Sequence, residues 1–212
     1  MDRAEIEHHL ERARSGDPSA VGALLEGHRL RLRKMVALRL DSRLRGRVDE
    51  TDVLQDAFLE AVGRMDEYLR RPDMPFYLWL RFITAQRLQA LCREHLGAQK
   101  RDVRRERPIA GAAYPEATSE ALAAQLVGKL TSPSQALARA EMKTRLCQVL
   151  ESMEPLDREV IALRHFEQLG NAEVAQVLGL SESTASKRYI RAIQRLKHLL
   201  AAVPGMSEPS WK

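Results

Sequence analysis

Residues 155–200 read PLDREVIALRHFEQLGNAEVAQVLGLSESTASKRYIRAIQRLKHLL, and the pattern of this stretch decides the fold class. Leu156, Val160, Ile161 and Leu163 form one apolar face, and Val174, Ala175, Val177 and Leu178 form a second, shorter one. Ala185, Tyr189, Ala192, Ile193, Leu196 and Leu200 form a third, all at helical spacing. Between the second and third stands Gly179-Leu180-Ser181. Glycine enters the left-handed conformation that ends a helix at little cost, Leu180 packs inward, and Ser181 caps the helix that follows. Three short helices joined by such a turn make a helix-turn-helix. Ser183, Thr184, Lys187, Arg188 and Arg191 then fall on or near the N-terminal half of the third helix, where a helix of this kind meets base edges and phosphates. Arg188 lies one turn after Thr184 and is expected to face the groove with it, while Arg191 leans toward a strand of phosphates.

Outside this stretch the chain also reads as helix. Val21, Leu24, Leu25, His28, Leu32, Met35, Val36 and Arg39 recur at helical steps, as do Val53, Leu54, Ala57, Phe58, Ala61 and Val62, and no segment alternates like a strand. Prolines mark boundaries: Pro72 and Pro75 flank a short loop, and Pro108, Pro115 and Pro133 mark a middle segment rich in Ala, Gly, Ser and Thr. That segment reads as a linker, within which Leu122, Leu126 and Leu130 can still form one amphipathic helical turn or two, so it need not be wholly disordered. The expected architecture is all-α: two small helical domains, residues 1–107 and 135–203, joined by a linker at 108–134 and followed by a tail at 204–212.

The charge is arranged in blocks. Residues Arg29 to Arg47 hold eight Arg or Lys and one acid, whereas Asp49 to Glu60 hold five acids and no base. The second half repeats this separation: eight acids against four bases from Glu141 to Glu182, then five bases and no acid from Ser183 to Ser207. One block suits a cationic partner protein and the other a polyanion. Six of the ten aromatic residues, Phe58, Tyr68, Phe76, Tyr77, Trp79 and Phe82, are concentrated between positions 58 and 82. Core packing accounts for Phe58, Trp79 and Phe82. Tyr68 and Tyr77, beside Arg70, Arg71 and Arg81, form the mixture of rings and cations that an unpaired base needs for stacking.

Composition excludes several classes. With 44% hydrophobic and 30% charged residues the chain folds as a globular protein. No run approaches the roughly 18 apolar residues of a membrane span, so no membrane insertion is expected, and the acidic start from Asp2 to Glu11 is unlike a secretory signal. The expected location is the cytoplasm. Cys92 and Cys147 lack CxxC spacing and partner histidines, so each is expected as a buried small hydrophobe, and neither a metal nor another cofactor is implied.

At this point the motifs resemble a known family, the extracytoplasmic-function (ECF) branch of the sigma-70 sigma factors. Asp49 and Thr51-Asp52-Val53-Leu54-Gln55-Asp56-Ala57-Phe58 resemble its acidic clamp-binding helix, usually written DAEDLVQETF. Phe76-Tyr77-Leu78-Trp79-Leu80-Arg81-Phe82-Ile83 is similar to the FxxWLxxI helix after the promoter-element loop, and the helix-turn-helix completes the order. The resemblance implies a non-enzymatic subunit that binds core RNA polymerase, through the clamp region of the β′ subunit and the flap of the β subunit, and directs it to promoter DNA. Polymerase contact would fall to Asp49, Asp52, Gln55 and Asp56. The minus-10 element would be read by Tyr68, Arg70, Arg71, Phe76, Tyr77, Trp79 and Gln86, and the minus-35 element by Ser183, Thr184, Lys187, Arg188 and Arg191. An anti-sigma factor is a further implied partner. Gln86 stands where the family usually has Asn, Ala90 stands near a usual Asp, and Ser186-Lys187 reverses a common Lys-Ser, so promoter sequence does not transfer. Thr51 replaces an acid in the clamp helix, and Gly170 replaces a Ser cap, leaving Glu173 without a complete capping box.

Two other classes compete. A helix-turn-helix regulator that never enters polymerase would need a ligand pocket or a receiver domain with strands in the N-terminal half. An enzyme could recruit Asp49, Glu50, Asp52 and Asp56, or His8 and His9, as metal ligands, but no HExxH, glycine-rich phosphate loop or nucleophile motif accompanies them.

Overall fold

The computed structural model describes residues 1–44, 46–96, 115–130 and 136–201. Helix follows helix, with no strand among the described residues, and the chain divides into two compact units.

The first unit holds five helices: α1 (Arg3–Arg14), α2 (Pro18–Arg39), α3 (Glu50–Gly63), α4 (Met65–Arg70) and α5 (Phe76–Leu96). Local chemistry sets their starts. Asp2 and Glu5 form a reciprocal capping box on α1. Asp17 caps α2 by accepting from the Ser19 N–H at 2.9 Å, with Pro18 supplying the preset φ of a first helical position. Asp49 caps α3 by accepting from the Thr51 N–H at 2.7 Å, which holds its carboxyl below the usual range. Leu24, Leu25, His28, Leu32, Met35, Val36 and Arg39 are buried along α2 as their spacing requires, and α2 and α5 pack on α3. The first half of α5 is buried nearly all round, from Phe76 to Arg81 and again from Ile83 to Ala85, as befits a helix enclosed by its neighbours.

The second unit holds α6 (Ser119–Leu130), α7 (Ala136–Glu151), α8 (Pro155–Ile161), α9 (Asn171–Leu178) and α10 (Glu182–Ala201). Helix α8 runs into a π-helical turn at Ala162–Phe166, and Gln168 at φ 58° reverses the chain toward α9. Helix α9 ends at left-handed Gly179 (φ 63°), after which the Leu180 N–H donates to the Ala175 carbonyl at 2.9 Å. Ser181 Oγ accepts from the Thr184 N–H at 3.2 Å and caps α10. The capping box expected to be incomplete is so: the Gly170 N–H donates to Glu173 Oε2 at 2.7 Å, and glycine has no side chain to return the bond.

The linker expectation needs correction. Within 108–134, residues 119–130 are helix α6, which packs on α7 and buries Ala121, Leu122, Ala123, Leu126 and Val127. Thr118 Oγ1 accepts from the Ala121 N–H at 3.1 Å, and the Ala117 N–H donates to buried Glu159 Oε2 at 2.9 Å. Lys143 pairs with Glu120 at 2.9 Å. The second unit therefore begins near Glu116, not at residue 135. Residues 97–114, 131–135 and the tail expected at 204–212 lie outside the described residues.

Candidate functional site

Three surfaces carry the expected site residues. On α3, Thr51, Asp52, Gln55, Leu59 and Val62 are exposed and share one side of the helix, while Val53, Leu54, Ala57, Phe58 and Ala61 are buried. Leu59 is 68% exposed and Val62 is 54% exposed, so Val62 does not join the core as its spacing suggested. Arg29, Thr51, Gln55, Phe58, Leu59 and Val62 line a shallow groove, with the Arg29 guanidinium 5.2 Å from the centre of the Phe58 ring. Of the four expected polymerase contacts, Asp52 and Gln55 are exposed on this stripe. Asp49 is also exposed but is engaged as the helix cap. Asp56 accepts two hydrogen bonds from Arg87 of α5, at 2.8 and 3.0 Å.

In the aromatic cluster Trp79 lies in the core as its spacing suggested, while Tyr68 and Tyr77, read as rings for base stacking, turn inward as well. Tyr68, Phe76, Tyr77 and Trp79 are all buried. The Tyr68 ring lies 4.7 Å from that of Trp79 and 5.5 Å from that of Phe76, and its hydroxyl donates to the Met74 carbonyl at 3.0 Å. Burial raises the Tyr68 pKa above its usual value. Tyr77 lies 5.4 Å from the His28 ring, and the Arg31 guanidinium covers it at 3.7 Å. These rings are core and loop support, and in this conformation none offers a face to a base. Alternation of rings and cations along the chain does not place them on one surface, because helical spacing turns the rings inward. Arg70, Arg71 and Gln86 are exposed.

On α10, Ser183, Thr184, Lys187 and Arg191 are exposed, and Ser183, Lys187 and Arg191 follow one another at four-residue steps along one side. Ala185, Ala192, Leu196 and Leu200 form the opposite, buried side. Arg188 lies one turn after Thr184, but its guanidinium turns to the start of α8. Its Nη1 is 2.7 Å from Asp157 Oδ1 and 3.3 Å from Glu154 Oε2 at the start of α8. Thr184 Oγ1 in turn lies 2.8 Å from Ser181 Oγ, within the cap.

Elsewhere, Cys92 and Cys147 form no disulfide and are half-buried, not fully enclosed as expected, and burial raises both thiol pKa values. Among the described residues no group of three or more His, Cys, Asp or Glu is placed to hold a metal ion, and no helix is long and apolar enough to cross a membrane.

Residues 3–200 match the family described as ECF sigma factor. The chain belongs to this family. An ECF sigma factor directs RNA polymerase to initiate at promoters, and the two helical units with their exposed α3 and α10 surfaces fit that function. Among its relatives, the RNA polymerase sigma factor CnrH of Cupriavidus metallidurans is 31% identical over 192 residues, spanning 90% of this chain and 91% of CnrH. The RNA polymerase sigma factor NccH of Alcaligenes xylosoxydans xylosoxydans is 28% identical over 191 residues, spanning 89% of this chain and 91% of NccH. A solved structure of CnrH in complex with the cytosolic domain of CnrY matches with a TM-score of 0.55 at 25% identity, covering 93% of this chain and 98% of that one.

For this ECF sigma factor the charge pattern directed attention to the acids of α3 and away from Leu59 and Val62. The signal that finds Leu59 is its place in the periodicity: position 59 falls outside the apolar set of α3, and an exposed leucine beside Gln55 marks a candidate contact surface, whereas Val62 falls within that set and its exposure is not encoded there.

Proposed function

We propose that this chain engages core RNA polymerase through the exposed stripe of α3, with Asp52 and Gln55 supplying polar contacts and Leu59 and Val62 the apolar part. The first unit would meet the minus-10 element through Arg70, Arg71 and Gln86, on a scaffold built by the buried rings. The second would meet duplex minus-35 DNA through Ser183, Thr184, Lys187 and Arg191. The observation that carries this reading is the separation of two exposed faces with different chemistry. Helix α3 is acidic and apolar, which repels DNA and suits a protein, and α10 is basic behind a glycine turn, which suits a major groove.

The chain works without catalysis of its own, in the cytoplasm, where polymerase and promoters are. A second protein partner, an anti-sigma factor, belongs to the proposal because CnrH was solved with the cytosolic domain of CnrY, and the apolar stripe of α3 suits a helix from such a partner. The test is in vitro transcription with purified core polymerase across a promoter library. Initiation from a defined promoter class that needs both upstream elements supports the reading. Binding of the chain to promoter DNA without association with core polymerase would favour the regulator class instead.

A further inference from the structure

Arg188 lies on the DNA-facing half of α10 by sequence, yet its guanidinium is half-buried and turned to acids at the start of α8. It bridges Asp157, whose side chain is only 14% exposed, and Glu154, and is itself 29% exposed. Both acids stand at the N-terminal end of α8, so the bridge joins α10 to the start of that helix. A second arginine continues the link: Arg158 Nη1 donates to the Leu150 carbonyl at 3.0 Å and to the Met153 carbonyl at 2.7 Å, fastening α8 to the end of α7. Asn171 Nδ2 donates to the Glu182 carbonyl at 2.9 Å and fixes the first residue of α10 to α9. Rotation of α10 about its axis would have to break these contacts, and rotation is what decides which side chains meet the groove.

We propose that Arg188 is a positioning residue that sets the rotation of α10 through Asp157 and Glu154, and that the sequence-facing place in this turn belongs to Lys187, on the stripe with Ser183 and Arg191. This rests on the reading of α10 as the upstream-element helix. A charged pair at a half-buried site is stronger than an exposed one because less water competes for it. Releasing it would leave the half-buried Asp157 carboxylate unpaired beside the helix that must approach phosphates.

The test uses the full chain and duplexes bearing matched, single-base-altered and scrambled upstream elements, with thermal melts alongside. Arg188→Ala and Asp157→Asn are each expected to weaken binding to the matched element about tenfold, the scale of a coupled pair. The double variant should be no weaker than Arg188→Ala. The salt slope should stay at its wild-type value, since a lost phosphate contact would lower it by about one, and base preference should relax to the same extent in both single variants, because either one frees the rotation of α10. The charge swap Arg188→Asp with Asp157→Arg should recover most of the binding, which a simple loss of packing would not allow. Tighter binding by Asp157→Asn, base preference relaxed in Arg188→Ala but kept in Asp157→Asn, a lower slope in Arg188→Ala, unchanged binding by both single variants, or a swap that melts normally and fails to bind would each overturn the proposal. Failure of the underlying reading looks different: the wild-type chain would not distinguish matched from scrambled duplex, and Arg191→Ala would change nothing.

Discussion

Asp56 Oδ2 accepts hydrogen bonds from both Nε and Nη2 of Arg87, at 3.0 and 2.8 Å, tying α3 to α5 across 31 residues of sequence. Asp56 and Asp52 therefore differ in kind although both are acids on one helix. Asp52→Arg is expected to weaken core polymerase binding at least tenfold with an unchanged melting temperature. Asp56→Arg sets two cations together and is expected to lower the melting temperature as well, by a few degrees, in line with about 0.2–1 kcal/mol for a partly exposed pair. Pull-down of core polymerase beside a calorimetric melt separates the two. Equal melting temperatures for both variants would remove the structural role from Asp56.

The exposed leucine and valine of α3 make a sharper test of the polymerase surface. Leu59→Glu and Val62→Glu change side chains that contribute little to the core, so folding stability should move by less than about 0.5 kcal/mol. Loss of an apolar contact at an interface centre costs about 1–2 kcal/mol or more, and affinity for core polymerase should fall accordingly. Wild-type affinity in both variants would return the contact to the acids.

For the aromatic cluster the expected outcomes split by burial. Tyr68→Ala should destabilise the first unit by about 3–5 kcal/mol, as large-to-small changes of buried aromatics do. Tyr68→Phe, which loses only the bond to the Met74 carbonyl, should cost about 1 kcal/mol. Arg71→Ala leaves the melt unchanged and reduces promoter opening, read by permanganate reactivity of the minus-10 bases. A Tyr68→Ala protein that melts normally but fails to open promoters would place the ring on DNA after all.

Asp17 gives a prediction in pH. Hydrogen bonds from the Ser19 hydroxyl and from Arg12, with the Ser19 N–H, hold its carboxyl at about 2, down from 3.8. A folded-state pKa below the unfolded one stabilises the fold above the unfolded value, and that contribution disappears as pH falls through the folded value. Asp17→Asn should therefore melt below wild type at pH 7, with the gap closing between about pH 4 and pH 2. A gap that stays constant over this window would mean that the charge of Asp17 contributes nothing to the cap.

The helices and the glycine turn were legible because each is encoded within a few residues: apolar residues at helical steps mark the helices, and Gly179 and Ser181 announce the turn and the cap after it. Pairings over distance were not. Nothing near Arg188 in the sequence points to Asp157, and nothing near Asp56 points to Arg87. Helix α6 was read as linker because Ala121 and Ala123 allow close packing while adding little to an apolar pattern, and small residues also mark flexible segments. The rings between 68 and 79 were legible as a cluster, but their local context does not say whether a partner helix covers them. Here Arg31 and His28 from α2 cover Tyr77.

The docking of α6 on α7 bears on any attempt to exchange promoter-reading modules between relatives. A seam cut at residue 135 would strip Leu122, Leu126 and Val127 from the face they cover and take away the Ala117 N–H that Glu159 accepts. A graft made there carries a bare apolar strip and one fewer donor for an enclosed carboxylate, the conditions under which a hybrid aggregates. A seam placed ahead of Glu116 transfers the module with its own covering helix.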